Sequence, residues 1–121
     1  MGMKMYEYKV VLDRVVDGDT VDVTIDLGFE VFVKERVRLA GIDAPEVRTR
    51  DLFEKEKGKI STLWLEQRCW DAKFDGIPII LRTTQYNPRG KFGRCIGTLH
   101  INEVNINEEM LEKGLAEEYV K

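Results

Sequence analysis

Alternation of apolar and polar residues between positions 20 and 28 is the strongest constraint on what this chain can fold into. Apolar side chains occupy every second position there, at Val21, Val23, Ile25 and Leu27. Successive strand residues point to opposite faces, so this pattern predicts a strand with one buried face. The chain has 121 residues, which leaves room for one domain, residues 1–121, around one modest core.

Further strand-like segments lie at residues 8–16, 31–33 with 37–42, 77–83 and 93–101. Between them, residues 52–74 change to a helical period. The helically spaced residues of this segment are Ile60, Leu63, Gln67, Trp70 and Phe74, and they form a largely apolar stripe that Trp64 widens. We expect this stripe to lie on the sheet, both tryptophans to pack in the core, and Gly58 to mark a frayed helix start. A last helix, residues 106–113, is capped by Asn105 and ended by Gly114.

This order of elements predicts a fold that is mainly β with α. Five strands of this length are most economically closed into a small barrel of the OB-fold type. The long helix follows the third strand, and a second helix lies near the C-terminus. Cys69 and Cys95 have neither metal-ligand spacing nor suitable neighbours, so we expect buried free thiols. His100 is expected to be a packed or edge residue rather than a general base.

The formal net charge is −3, which argues against tight non-specific binding of long duplexes. Residues 82–94 nevertheless carry cations without an acidic residue, and such a local basic face is compatible with a phosphate substrate. No apolar run is long enough for a signal peptide or a transmembrane helix. The sequence therefore predicts no membrane association and a cytoplasmic protein, unless a leader was removed.

Three short segments carry residues suited to chemistry on a phosphate. In residues 16–21, Asp17 and Asp19 flank a glycine, and paired carboxylates are ligands for a hard cation such as calcium. In residues 37–46, Arg38 lies in a strand that ends at Asp43 and Glu46. Residues 88–94 alternate glycines with cations, which leaves the backbone open to a phosphate that arginine can grip with two parallel donors.

Each segment alone is ordinary: an Asp-Gly hairpin turn, a surface ion pair, a basic loop. Together they supply what phosphodiester cleavage needs, namely a cation, positive donors for the charge that builds in the transition state, and a carboxylate that orders or deprotonates water. All three lie at strand ends, where barrel folds gather their sites.

These segments resemble those of the thermonuclease family, the staphylococcal nuclease-like (SNase) nucleases. The matching stretches are residues 16–21, 38–46, 91–94 and 107–116, in the family's order. The resemblance implies a five-stranded OB-fold barrel and a calcium-dependent endonuclease that cleaves DNA, and often RNA, and leaves 3′-phosphate ends. Its partner would be the nucleic-acid substrate, and we expect a monomer.

The resemblance also implies roles by position. Asp19 and Asp43 would hold Ca²⁺ through their carboxylates, and Ala44 through its backbone carbonyl. Glu46 would orient or deprotonate the attacking water. Arg38 and Arg94 would clamp the phosphate.

Substrate contacts are implied for three further residues. Lys91 would contact a neighbouring phosphate, and Phe92 stands where the family often has tyrosine, so only apolar contact remains. The founding member of the family continues into a further long helix, and tyrosines near that region line its nucleotide pocket. In this sequence Tyr119 is the one candidate for such a tyrosine. We therefore expect lowered substrate affinity and stability.

Two alternatives remain open. One is a catalytically weak or inactive module that binds nucleic acid or protein through the same barrel, although such copies usually lose site carboxylates or arginines. The other is a calcium-binding structural domain, which would need the carboxylates but neither Arg38 nor Arg94.

Overall fold

The computed structural model describes residues 6–87 and 94–119, with side chains described for residues 6–83 and 95–119. This part of the chain forms eight strands and two helices. In chain order they are β1 (Glu7–Asp17), β2 (Thr20–Asp26), β3 (Phe32–Leu39), β4 (Ile42–Asp43), α1 (Leu52–Phe74), β5 (Ile79–Asn87), β6 (Arg94–Ile101), β7 (Val104–Asn105), α2 (Ile106–Glu112) and β8 (Glu117–Glu118).

Five strands form a closed barrel in the order β3-β2-β1-β5-β6. Neighbours along this order are antiparallel, and the barrel closes through a parallel pairing of β3 with β6, in which Val37 lies opposite Cys95 and Leu39 opposite Gly97. The short strand β7 extends the sheet beyond β6. The predicted five-stranded barrel, mainly β with α, is confirmed.

The alternation in β2 places its apolar residues in the barrel core. Val21, Val23 and Ile25 are buried, whereas Leu27 follows the strand end and is 46% exposed. The strand-like segments at 31–33 and 37–42 prove to be one strand, β3, followed by a turn and the two-residue strand β4. This turn separates Arg38 from Asp43.

Helix α1 has the predicted bounds, but it turns the opposite face to the barrel. Asp51 caps it by accepting hydrogen bonds from two backbone N–H groups of the first turn, and the helix packs on β1 and β5. Its buried residues are mostly small: Gly58, Ser61, Leu65, Cys69 and Ala72.

The predicted apolar stripe is exposed, so that expectation was wrong. Ile60, Leu63, Trp70 and Phe74 are all more than half exposed, and of the two tryptophans only Trp64 packs against the core. Small residues allow the helix axis to approach the barrel closely, which the larger side chains of the stripe would prevent.

Gly58 is a contact point rather than a frayed start. A Cβ atom at this position would lie 2.7 Å from the carbonyl oxygen of Glu46 and 2.9 Å from that of Pro45. Real Cβ atoms do not approach backbone oxygens so closely, so only glycine allows α1 to lie directly on the loop that carries Glu46.

The short helix α2 begins where the sequence predicts and ends one residue earlier, at Glu112. Asn105 caps it by accepting from Glu108 N–H at 3.2 Å, and Lys113 follows its last residue. Within it, the buried side chain of Asn107 donates to the carbonyls of Ala40 and Gly97 and accepts from Leu99 N–H. One amide therefore ties α2 to the residue that follows β3 and to the middle of β6. Within the described residues, no helix is both long and apolar enough to cross a membrane.

Candidate active site

Asp19 lies in the tight turn between β1 and β2, and each oxygen of its buried carboxylate accepts a hydrogen bond. Oδ1 accepts from the Thr20 hydroxyl at 2.9 Å, and Oδ2 accepts from the backbone N–H of Ala44 at 2.8 Å. Such partners offset the cost of removing a carboxylate from water. The preceding Gly18 lets the turn approach, because a Cβ there would lie 2.9 Å from the Cβ atoms of Ala44 and Ser61.

Arg38 is the centre of the site, and only 17% of its side chain is exposed. Its Nη1 lies within hydrogen-bond distance of three backbone carbonyls, those of Asp19, Leu39 and Ile42, at 3.4, 3.2 and 2.9 Å. The same nitrogen lies 3.5 Å from Asp19 Oδ2, while Nη2 lies 3.4 Å from Asp43 Oδ1. One guanidinium, held by the turns of the barrel, therefore bridges two carboxylates.

Asp43 ends β4 and has a side chain that is 62% exposed. Its neighbouring strand is β8, in which Glu117 lies opposite Asp43 in an antiparallel pair. The two candidate cation ligands thus differ in character, since Asp19 is buried and fixed whereas Asp43 opens to solvent.

Tyr119 follows β8 and reaches the same place. Its backbone N–H donates to the carbonyl of Gly41 at 3.0 Å, and the Arg38 guanidinium carbon lies 5.6 Å from the centre of its ring. This is within the range of a cation–π contact. The C-terminal segment therefore forms one wall of the site, which sequence reasoning could not establish.

Glu46 lies in the loop between β4 and α1 and is exposed. This loop is held from two sides: Asp17 Oδ1 accepts from the N–H of Val47 at 3.3 Å, and Gly58 of α1 packs on the carbonyl of Glu46 itself. The first aspartate of the predicted Asp-Gly-Asp turn thus holds the Glu46 loop, a position for which the sequence offers no local signal.

Arg94 begins β6, and the next residue, Cys95, pairs with Val37 of β3. The closure of the barrel therefore brings the backbone of Arg94 alongside the strand that carries Arg38; its side chain lies outside what the structure describes. Lys91 and Phe92 also lie outside the described residues.

The donor atoms that the family resemblance implies for calcium are all oxygens: two carboxylates and the carbonyl of Ala44. This chemistry suits a hard cation. In the described part of the chain no group of three His, Cys, Asp or Glu side chains could hold a metal, and calcium takes about six to eight oxygens. The residues therefore fit part of a calcium shell, whose remainder would come from water and from substrate oxygens.

The other titratable candidates have structural surroundings. His100 is buried and lies 2.7 Å from the Thr98 hydroxyl, and burial, followed by the charge of Arg82, lowers its pKa. This matches the expected packed residue. Cys69 and Cys95 are free and buried, as expected, and burial raises the pKa of each thiol to about 11.

The family model described as "Staphylococcal nuclease homologue" matches residues 36–121, more than two thirds of the chain. The chain belongs to the staphylococcal nuclease family. This match confirms the resemblance of the sequence motifs, and the closed barrel with two helices is the fold expected of an SNase-like member.

Relatives with nuclease names agree with this assignment. CAN1, a staphylococcal-like nuclease of Arabidopsis thaliana, is 33% identical over 92 residues, which cover 75% of this chain and 24% of CAN1. YokF, an SPbeta prophage-derived endonuclease of Bacillus subtilis, is 27% identical over 107 residues, covering 88% of this chain and 33% of YokF.

A third relative is uncharacterized. This protein, MJ1439 of Methanocaldococcus jannaschii, is 30% identical over an alignment of 131 positions, which covers 95% of this chain and 60% of MJ1439. The SNase-type chain described here thus spans from about a quarter to three fifths of the length of these three relatives.

Proposed function

We propose that this SNase-family chain is a calcium-dependent endonuclease that hydrolyses DNA, and RNA as well, and leaves 3′-phosphate ends. The observation that carries the proposal is the arrangement around Arg38. Its guanidinium is held by three backbone carbonyls and lies 3.5 and 3.4 Å from carboxylate oxygens of Asp19 and Asp43. A structural ion pair needs only one carboxylate beside the arginine. A site that binds both a metal cation and a phosphate needs carboxylates and a guanidinium held in fixed positions, as they are around Arg38.

In this proposal Asp19, Asp43 and the Ala44 carbonyl hold the cation, which when bound supplies positive charge beside a non-bridging phosphate oxygen. Asp19 is suited to this role because Thr20 and Ala44 already fix both of its oxygens. Since the protein offers only part of a calcium shell, we expect weak calcium binding until a phosphate joins.

Glu46 is proposed to order the attacking water and to accept its proton. Its exposure leaves room for a substrate, and the loop contacts from Asp17 and Gly58 hold the backbone that carries it. A positioned carboxylate of this kind contributes about a hundredfold to ten-thousandfold in rate.

Arg38 and Arg94 are proposed to clamp the phosphate and to stabilise the charge that develops on it. Arg38 is pre-organised by its backbone acceptors, so little reorganisation is needed when a phosphate arrives. Lys91 and Phe92 are assigned to a neighbouring phosphate and to apolar contact, and Tyr119, whose ring lies under the Arg38 guanidinium, to the nucleotide.

The deciding experiment measures cleavage of a fluorescent single-stranded DNA with calcium, with magnesium and with a chelator. Arg94→Lys should lower the rate by about a hundredfold to a thousandfold, because lysine cannot provide two parallel donors to the phosphate. Arg36→Lys is the matched control: the same change at an exposed arginine of β3 that pairs with Asp22 instead. It should leave the rate unchanged.

Calcium-dependent cutting that Arg94→Lys abolishes and Arg36→Lys preserves would support the proposal, and mass analysis of the products would test the 3′-phosphate. Equal rates in both folded variants would remove Arg94 from the mechanism. Likewise, an unchanged rate in Glu46→Gln would remove Glu46. No cutting by the folded wild-type protein would favour a module that only binds nucleic acid or protein.

A further inference from the structure

Helix α1 presents an apolar seam, interrupted by Glu56 and Gln67, to solvent on the face opposite the barrel. The seam consists of Phe53, Ile60, Leu63, Trp70 and Phe74, which are 71, 57, 63, 57 and 91% exposed. These residues recur at intervals of seven and of three or four, the spacing of positions a and d in a coiled-coil heptad. With Phe53 at position a, the f positions are Gly58, Leu65 and Ala72, and these are buried against the barrel.

The seam faces away from the candidate active site. Gly58, on the buried face, contacts the Glu46 loop, whereas Ile60 and Leu63 point to solvent. Soluble monomers rarely expose apolar patches larger than a few hundred Å², and larger patches mark interaction surfaces. A partner on the seam would therefore leave the site open.

We propose that the seam binds the same seam of a second copy of this chain, with the two α1 helices antiparallel. This proposal departs from the monomer expected from the sequence. In the antiparallel register that places Ile60 opposite Leu63 of the second copy, Phe53 lies opposite Trp70 and Glu56 opposite Gln67. Apolar residues thus meet apolar residues and polar residues meet polar ones, twice over by the two-fold axis.

The charges beside the seam match this register. The g positions of α1 are Lys59, Glu66 and Lys73, and facing g positions lie beside each other in an antiparallel pair. Lys59 then lies near Glu66 of the second copy on both sides of the axis. A slip by one heptad would instead bring Lys59 beside Lys73, so charge disfavours the alternative register.

Two lysine ammonium groups lie over aromatic rings of the seam. Lys57 Nζ is 4.5 Å from the Phe53 ring centre, and Lys73 Nζ is 5.3 Å from that of Trp70. Trp70 also lines a cleft of about 620 Å³ between α1 and β1. Acidic residues, Glu56, Glu66 and Asp71, are interspersed with the lysines on this face, which disfavours an anionic membrane as the occupant.

The available area is sufficient for association. Aromatic side chains bury about 150–250 Å² each. In this register Phe74 faces position 49, which precedes α1, so four side chains contribute: Phe53, Ile60, Leu63 and Trp70. Each is more than half exposed, and together they offer on the order of 500 Å² per copy. Two copies together reach the roughly 1,000 Å² at which specific interfaces begin. The expected dimer is therefore one of modest affinity.

Sedimentation velocity across a wide range of protein concentration, on the full chain, tests this inference. We expect a monomer–dimer equilibrium that Leu63→Glu weakens by roughly thirtyfold or more, the effect of losing a central interface residue. Leu27→Glu is the matched control, the same change at an exposed leucine of the β2–β3 turn, and it should leave the equilibrium unchanged. Circular dichroism verifies that both variants fold.

A charge exchange tests the register. Lys59→Glu and Glu66→Lys should each weaken the dimer by about tenfold through two like-charge contacts, and the double variant should restore it. A monomeric mass at every concentration, a dimer indifferent to Leu63→Glu, or a double variant that is no tighter than the single ones would each overturn the inference. So would Leu63-dependent co-sedimentation of the monomer with phosphatidylserine vesicles, which would assign the seam to a membrane surface.

Discussion

At the scale of single residues, the candidate site depends on contacts that admit only one side chain. Gly58 is the clearest case, because its missing side chain is what lets α1 rest on the Glu46 loop. Arg38 is another, since three carbonyls and two carboxylates converge on one guanidinium. Such residues join the chemistry of the site to the packing of the fold.

Gly58→Ala should lower both stability and activity. In an ordinary helix interior this change stabilises by about 0.5–1 kcal/mol, but here the new methyl group would meet a backbone carbonyl at 2.7 Å. Overpacking of this kind costs about 1–3 kcal/mol, so we expect a net loss of about 1 kcal/mol. Displacement of the loop should slow cleavage through Glu46.

Urea denaturation and the cleavage assay measure the two effects. Glu112→Ala, an exposed change in α2, serves as the control and should change neither. A stabilised Gly58→Ala protein with full activity would show that α1 can shift without disturbing the loop.

At the scale of elements, short segments are held in place by a few buried polar contacts. α2 has seven residues, far fewer than an isolated helix needs in water. Asn107 fixes it by bonding the carbonyls of Ala40 and Gly97 and the N–H of Leu99. Ser61 does the same for the following turn, since its hydroxyl donates to the Leu115 carbonyl at 2.6 Å.

Asn107→Ala should destabilise the protein by about 2–3 kcal/mol, because the buried Leu99 N–H loses its acceptor and the Ala40 carbonyl loses its donor, while the Gly97 carbonyl keeps the Ala40 N–H. The expected result is a lower midpoint of thermal and chemical unfolding. Glu108→Ala, an exposed change in the same helix, should cost less than about 1 kcal/mol through the helix dipole alone. Equal losses in the two variants would mean that the Asn107 contacts add nothing beyond helix propensity.

At the scale of the whole molecule, the buried thiols make the free energy of unfolding depend on pH in the alkaline range. Burial raises the pKa of Cys69 and of Cys95 from 9.0 to about 11. Between about pH 9 and pH 11 the native protein therefore keeps thiol protons that the unfolded chain releases. The contribution of each thiol to the free energy of unfolding is complete below about pH 9 and is lost as the pH rises through about 11.

We predict that the free energy of unfolding falls between about pH 9 and pH 11 by on the order of 2 kcal/mol per thiol. Urea unfolding at a series of pH values measures the fall. Lysine and tyrosine groups titrate in the same range, so the Cys69→Ala/Cys95→Ala double variant is the necessary comparison and should show a smaller slope. An identical slope in both proteins would contradict the prediction.

Much of the fold could be predicted from local pattern. The alternation in β2, the bounds of α1 and the cap at Asn105 follow from short-range geometry and hydrogen bonding, and each was confirmed. The buried face of α1 was predicted wrongly because the helix carries two stripes, one of large apolar side chains and one of mostly small side chains. Hydrophobicity alone predicts that the stripe of large side chains is buried. The barrel instead selects the small ones, Gly58, Ser61 and Ala72, because they permit close approach.

By itself the sequence determined the residue types of the site, their order along the chain and the family to which the chain belongs. Only the tertiary structure decided which of these residues meet: that Arg38 bridges Asp19 and Asp43, that Asp17 and Gly58 hold the Glu46 loop, and that Tyr119 returns to cover Arg38. These contacts join positions up to about eighty residues apart. Periodicity and capping act over a few residues only, whereas closure of the barrel brings distant strand ends together.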